Sequence, residues 1–205
     1  MTDPGAAPSE FSRRQDKKRL RQQRSNMRNL VGSLVVSLGI VALLIFIIPR
    51  PGGNQVPPVE WKEVAATSQI SAPGPLLVPE LDETWRGNRA DIRDSGGVLE
   101  WTVGLIGSGD EFVQVVQGFN AGPGWVSTQV RGRGPDGETP LGVGDDQVTW
   151  TIYDRSEVTD PGNRVWSVAT ETQTGWVVVT GLTQASVFLV ASDLSTNQLE
   201  IFQTR

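Results

Sequence analysis

Residues Leu30–Ile48, LVGSLVVSLGIVALLIFII, run for 19 positions without a charged side chain. A helix of that length spans about 28 Å at 1.5 Å per residue, close to the roughly 30 Å of a bilayer's hydrocarbon core. The core helix of a soluble domain rarely stays uncharged all round for so long. A cleaved signal peptide also begins with bases, but its apolar region is usually about 7–15 residues and ends at a small-x-small site. Here the run ends in Ile-Ile-Pro-Arg-Pro-Gly-Gly, and the chain has no cysteine to carry a lipid. The expectation is an uncleaved transmembrane helix over 30–48.

Charge orients that helix. Residues 1–28 carry eight bases (Arg13, Arg14, Lys17, Lys18, Arg19, Arg21, Arg24, Arg28) against three acids, a net +5. Residues 51–205 carry nine bases against 20 acids, a net -11. After the run, Arg50 and Lys62 are the bases within about 15 residues, so the positive-inside rule puts the N-terminus in the cytoplasm and residues 51–205 outside. The expected location is therefore the cell membrane, crossed once. The basic segment Arg13–Arg28 reads as a patch on anionic headgroups, worth about 1 kcal/mol per base near the surface, in preference to a nucleic-acid site. Within the run, Ser33 and Ser37 with Gly32 and Gly39 form a small-residue pattern that can support helix pairing.

The chain thus divides into a basic cytoplasmic tail (1–29), a transmembrane helix (30–48), a Pro/Gly linker (49–58) and an extracytoplasmic domain (59–205). The linker PRPGGNQVPP holds four prolines and two glycines and cannot continue a helix. The domain holds all seven tryptophans: Trp61, Trp85, Trp101, Trp125, Trp150, Trp166 and Trp176. In Val98–Ile106 the apolar Leu99, Trp101, Val103 and Leu105 alternate with Glu100, Thr102 and Gly104, a strand period. Gly107–Asp110 supplies a turn, and Glu111–Phe119 resumes the alternation, which predicts a hairpin. Gln147–Asp154 is a further strand, and Arg164–Thr170 with Trp176–Gly181 a second hairpin across Glu171–Gly175. Thr183 is placed to cap a helix from Gln184 to about Leu194, in which Ala185, Phe188, Leu189 and Ser192 share a face. A short helical turn falls near Gly124–Val130. The fold class is α+β: an antiparallel sheet of about five to seven strands, covered on one face by one or two helices.

Composition excludes much chemistry. Without His or Cys there are no disulfides, no thiolate or imidazole metal sites, and no His base or Cys nucleophile. Gly132–Gly137 matches G-x-G-x-x-G, but Pro135 removes an amide and Glu138–Gly142 cannot open the helix a pyrophosphate needs, so a loop is expected. The acidic pairs Asp110-Glu111 and Asp145-Asp146, and Glu171, read as solvated turn acids. Lys62 has no surroundings that would desolvate it for a Ser–Lys dyad. Tryptophans can stack on sugars, yet Trp101, Trp150, Trp166 and Trp176 occupy strand positions that suit a core, which leaves Trp85 and Trp125 as the open cases. No catalytic, cofactor-binding or metal-ligating residue is assigned, and no cofactor is expected.

From Pro75 to Arg93, PLLVPELDETWRGNRADIR, the chain resembles the actinobacterial membrane proteins grouped as domain of unknown function 4245. The proline-flanked apolar stretch, Trp85-Arg86, the LEWTVG strand at 99–104, the Trp166 strand, the WVVVTG strand at 176–181 and the following helix fit that order. The resemblance implies an envelope location and a single-pass anchor, and no activity. The expected function is a membrane-anchored binding or scaffolding module, with an integral membrane or cell-wall partner. The alternative is an envelope enzyme using carboxylates alone, such as a wall-glycan hydrolase.

Overall fold

The computed structural model describes residues 32–41, 43, 57–109, 111–144 and 146–202. By internal contacts the chain divides into two units, Met1–Asn54 and Gln55–Arg205. In the first, residues 32–41 and 43 are helical, while the remainder of the expected span, the basic tail 1–29 and linker residues 49–56 lie outside the described residues. Among the described residues no helix is long and apolar enough to cross a membrane.

The second unit is built on α1 (Trp61–Ser68), a 3-10 turn (Gln69–Ser71), β1 (Arg86–Ser95), β2 (Val98–Ile106), β3 (Phe112–Phe119), α2 (Pro123–Gln129), β4 (Gly137–Val143), β5 (Asp146–Asp154), β6 (Trp166–Thr172), β7 (Gly175–Gly181), α3 (Gln184–Asn197) and α4 (Leu199–Phe202). The strands form one seven-stranded sheet in the order β1-β2-β3-β7-β6-β5-β4, with every neighbouring pair antiparallel. Alternation sends Trp101, Val103, Leu105, Val113, Val115, Val177, Val179 and Val168 to one face, and each is 0% exposed. Full burial of such side chains contributes about 1.5–3 kcal/mol apiece. α3 covers the β4–β7 half of that face with Val187, Val190, Ala191 and Leu194. The Thr183 side chain caps α3, its hydroxyl oxygen accepting the Ser186 amide at 3.2 Å.

The strap Gly74–Glu80 carries Leu76 and Leu77 into the same core. Prolines at 75 and 79 exclude it from a ladder, so side chains meet its peptide groups instead. Gln69 accepts the Leu76 amide and donates to the Gly74 carbonyl. Gln117 does the same for the Leu77 amide (2.9 Å) and the Pro75 carbonyl (3.0 Å), and Gln198 for both groups of Val78. The indoles of Trp101 and Trp61 donate to the carbonyls of Leu77 and Pro79. Asp193 accepts the Glu80 amide at 2.8 Å.

Burial pushes the Asp193 carboxyl above its ordinary 3.8, against the opposing effect of the Glu80 amide. A raised folded pKa favours the protonated acid, so this contribution to stability is full below about 3.8 and is lost as pH rises through the raised value. Asp193→Asn keeps an oxygen for the Glu80 amide and removes the titration. Urea midpoints measured from pH 3 to 7 should therefore shift in favour of the Asn variant as pH rises, and a difference that is constant with pH contradicts the assignment.

The hairpin at 98–119, the strand at 147–154 and the helical turn near 124–130 are present, and the second hairpin, expected over 164–181 with its turn at 171–175, has β6 at Trp166–Thr172 and β7 from Gly175. Three differences have physical causes. The segment after Gly137, to which the sequence assigns no element beyond its failure to open a helix, is the edge strand β4, where Pro140 is tolerated because one side of the strand has no partner. Helices lie on both faces of the sheet and not on one, because α2 packs Val126 with Ala169 and Val178, on the face opposite the main core. In α3 the face shared by Ala185, Phe188, Leu189 and Ser192 is not the one against the sheet: Ala185 is exposed and Leu189 50% exposed, while Phe188 packs only partly buried at the edge of the core. The stripe 187, 190, 191, 194 is as apolar at the same spacing, and it faces the sheet.

Candidate functional site

The chain enters the domain through Val59, whose amide donates to the Gly87 carbonyl at 2.8 Å. This brings Pro58–Lys62 against the Leu81–Gly87 turn and leaves a recess of about 350 Å³ between them, within the roughly 300–1,000 Å³ of small-ligand sites. Trp61 and Trp85 line it, each 9% exposed. The Trp61 indole is committed to the Pro79 carbonyl at 3.0 Å. The exposed side chains of Glu60, Lys62, Asp82, Glu83 and Arg86 form its charged rim. The Thr84 hydroxyl and amide both donate to Asp82, which holds its carboxyl below 3.8. The recess has an aromatic wall and charges of both signs. Its titratable groups are the carboxyls of Glu60, Asp82 and Glu83 with Lys62 and Arg86, and no Ser, Thr, Cys or His lines it.

A second polar centre lies on the far face of the sheet. Glu100 of β2 is 3% exposed, and its Oε1 accepts the Trp125 indole at 2.7 Å and the Gln129 amide at 3.0 Å. The Trp125 ring lies over Gly118, where a side chain would collide with it at 2.8 Å. Arg164 donates to the Gln129 carbonyl at 2.7 Å and ties the 155–165 loop to the end of α2. Burial lowers the Arg164 pKa, and its neighbour Arg131 lowers it further while Glu100 opposes. The carboxylate is thus engaged in docking α2, with two neutral donors on one of its oxygens.

The residues singled out in the sequence are scattered. Trp101 and Trp150 are fully buried, Trp166 and Trp176 half-buried on opposite faces, and Trp85 lies in the recess. Trp125 is half-buried with its indole N–H consumed by Glu100. Lys62 stands exposed in the recess lining, and Glu171 is exposed on β6. Asp110 and Asp145 lie outside the described residues. Gly132–Asp136 is a turn closed by an Arg133–Asp136 ion pair, with β4 and not a helix after it. No group of three or more His, Cys, Asp or Glu is placed to hold a metal among the described residues. Alternation alone assigns Glu100 to solvent, and nothing in its own strand signals the helix that covers it.

Sheet, strap and recess together define a small α+β domain with a ligand-sized hollow beside its first residues. The chain belongs to the family described as "Protein of unknown function (DUF4245)", which matches residues 22–191. No curated protein and no solved structure matches it.

Proposed function

We propose that this chain is a single-pass membrane protein whose residues 51–205 form an extracytoplasmic binding or scaffolding module of the cell envelope, N-terminus in the cytoplasm. The recess carries the binding half of this reading: it lies directly after the linker and offers an aromatic wall inside a charged rim. The anchoring half is supported by the family match, which begins at residue 22 and contains all of Leu30–Ile48. It is supported also by residues 34–43, whose Leu, Val and Ile side chains are 53–66% exposed on every side of their helix. Apolar surface all round a helix needs an apolar surrounding, and the bilayer supplies one. Ten linker residues span about 31 Å as polyproline II and at most about 35 Å fully extended, which keeps a bound partner near the membrane.

The test is co-purification from mildly cross-linked native membranes, comparing the tagged full chain, a tagged 1–58 control and the full chain with Lys62→Glu and Arg86→Glu. A partner recovered with the full chain, absent from the control and reduced at least about tenfold by reversing the rim charges, is the expected result. Equal recovery with the charge-reversed chain would move binding away from the recess.

A further inference from the structure

We propose that two copies of this chain pair through the free edge of β1, antiparallel about a two-fold axis at Ile92, so that their sheets join. β1 and β4 are the two edge strands. β4 is seven residues long and carries Pro140 and two glycines, features that discourage pairing. β1 is the longest strand, at 10 residues, and has no proline. Its ladder with β2 is irregular between Gly87 and Arg89, and the bond from Val59 falls on Gly87, before that break. Among the described residues, Arg89–Ser95 is therefore left as an uninterrupted open edge, and its midpoint is Ile92.

Pairing that keeps both core faces on one side joins residues of equal parity, so the axis must fall on a residue. About Ile92, Asp91, already paired with Arg89 of its own strand, meets Arg93 of the second copy as a second cation, and Arg93 meets its Asp91. Ile92 meets Ile92 of the second copy on the core face. An axis at Asp91 sets that acid against itself and Arg89 against Arg93, and an axis at Arg93 sets that base against itself. An axis at Ala90 carries Arg93 onto Gly87, whose carbonyl Val59 already occupies. Charges on an edge strand usually prevent pairing, but Arg89, Asp91 and Arg93 alternate in sign, so one register attracts. On the other side Ala90 and Ile92 pack on the core yet stay partly exposed, apolar surface that a second strand would cover.

The absence of cysteine makes the test direct. Opposed residues in an antiparallel pair have Cα atoms about 4.5–5.5 Å apart, within disulfide reach. The full chain carrying Ile92→Cys, purified in non-ionic detergent and mildly oxidised, should give a covalent dimer. Ala90→Cys and Asp94→Cys should each stay monomeric alone and cross-link when the two chains are mixed. Added to Ile92→Cys, Arg93→Asp should cut the yield roughly tenfold, since it puts two acid pairs face to face, and the Asp91→Arg, Arg93→Asp exchange should restore it. A folded Ile92→Cys chain that stays monomeric would overturn the proposal. So would cross-linking of all three single-cysteine chains alike, or an exchange that restores nothing. A dimer made by residues 30–48 alone would show neither the positional preference nor the charge dependence, and would overturn it too. The outcome does not depend on the membrane reading.

Discussion

Trp101→Ala is expected to lower the unfolding free energy of residues 55–205 by about 3–5 kcal/mol. Trp101 is fully buried at the centre of β2, and its indole donates to the Leu77 carbonyl at 2.9 Å. Truncation leaves a cavity and also strips a buried carbonyl of its donor, so the two losses act on the strap together. Domains of this size are stable by about 5–15 kcal/mol in total. The variant should therefore unfold at a much lower urea midpoint, and a loss below about 1 kcal/mol would contradict the place given to the strap. Trp101→Phe, which keeps most of the volume and loses only the donor, should fall between the two.

Gly175→Ala is the second large effect. Gly175 has φ 149° at the turn between β6 and β7, and a Cβ there would lie 2.1 Å from the Gly118 carbonyl oxygen. The obstructing atom is backbone, held by the register that pairs Phe119 with Gly175 and by the Asn120 amide bonded to the Thr174 carbonyl at 2.7 Å. Unlike a flexible side chain it cannot swing aside. Backbone strain and overpacking each cost about 1–3 kcal/mol, so a loss of about 3 kcal/mol or more is expected by thermal or urea unfolding. Gly124→Ala is the matched control, because nothing lies within 4 Å of its Cβ position. It sits in α2, where alanine is the better helix former, and should be neutral or slightly stabilising.

The elements legible in the sequence are those whose two sides differ in polarity. β2 and β3 alternate because one face meets α3 and the strap, and Thr183 marks the start of α3 by its chemistry. β1 escaped notice because RGNRADIRDS offers Ala90 and Ile92 as its apolar residues, as an edge strand can. α1 is eight residues long and has no side-chain cap, so neither length nor capping announces it. The recess joins two segments some 20 residues apart, through a contact between Val59 and Gly87 that no local pattern encodes. Glu100 has the same origin: its burial depends on where α2 lands, which is a tertiary matter. The strap shows the converse case. Its two prolines are visible in the sequence as interruptions, while the three glutamines that complete its hydrogen bonds come from position 69, position 117 and position 198.

The proposed function depends first on which side of a membrane residues 51–205 occupy. The direct measurement is protease digestion of intact, wall-stripped cells expressing the full chain with a C-terminal tag, alongside alkaline extraction of their membranes. An outward-facing module held by Leu30–Ile48 predicts that the tag is cleaved without lysis and that the chain stays in the membrane pellet at high pH. A tag protected until lysis, or a chain released by alkali, would contradict it.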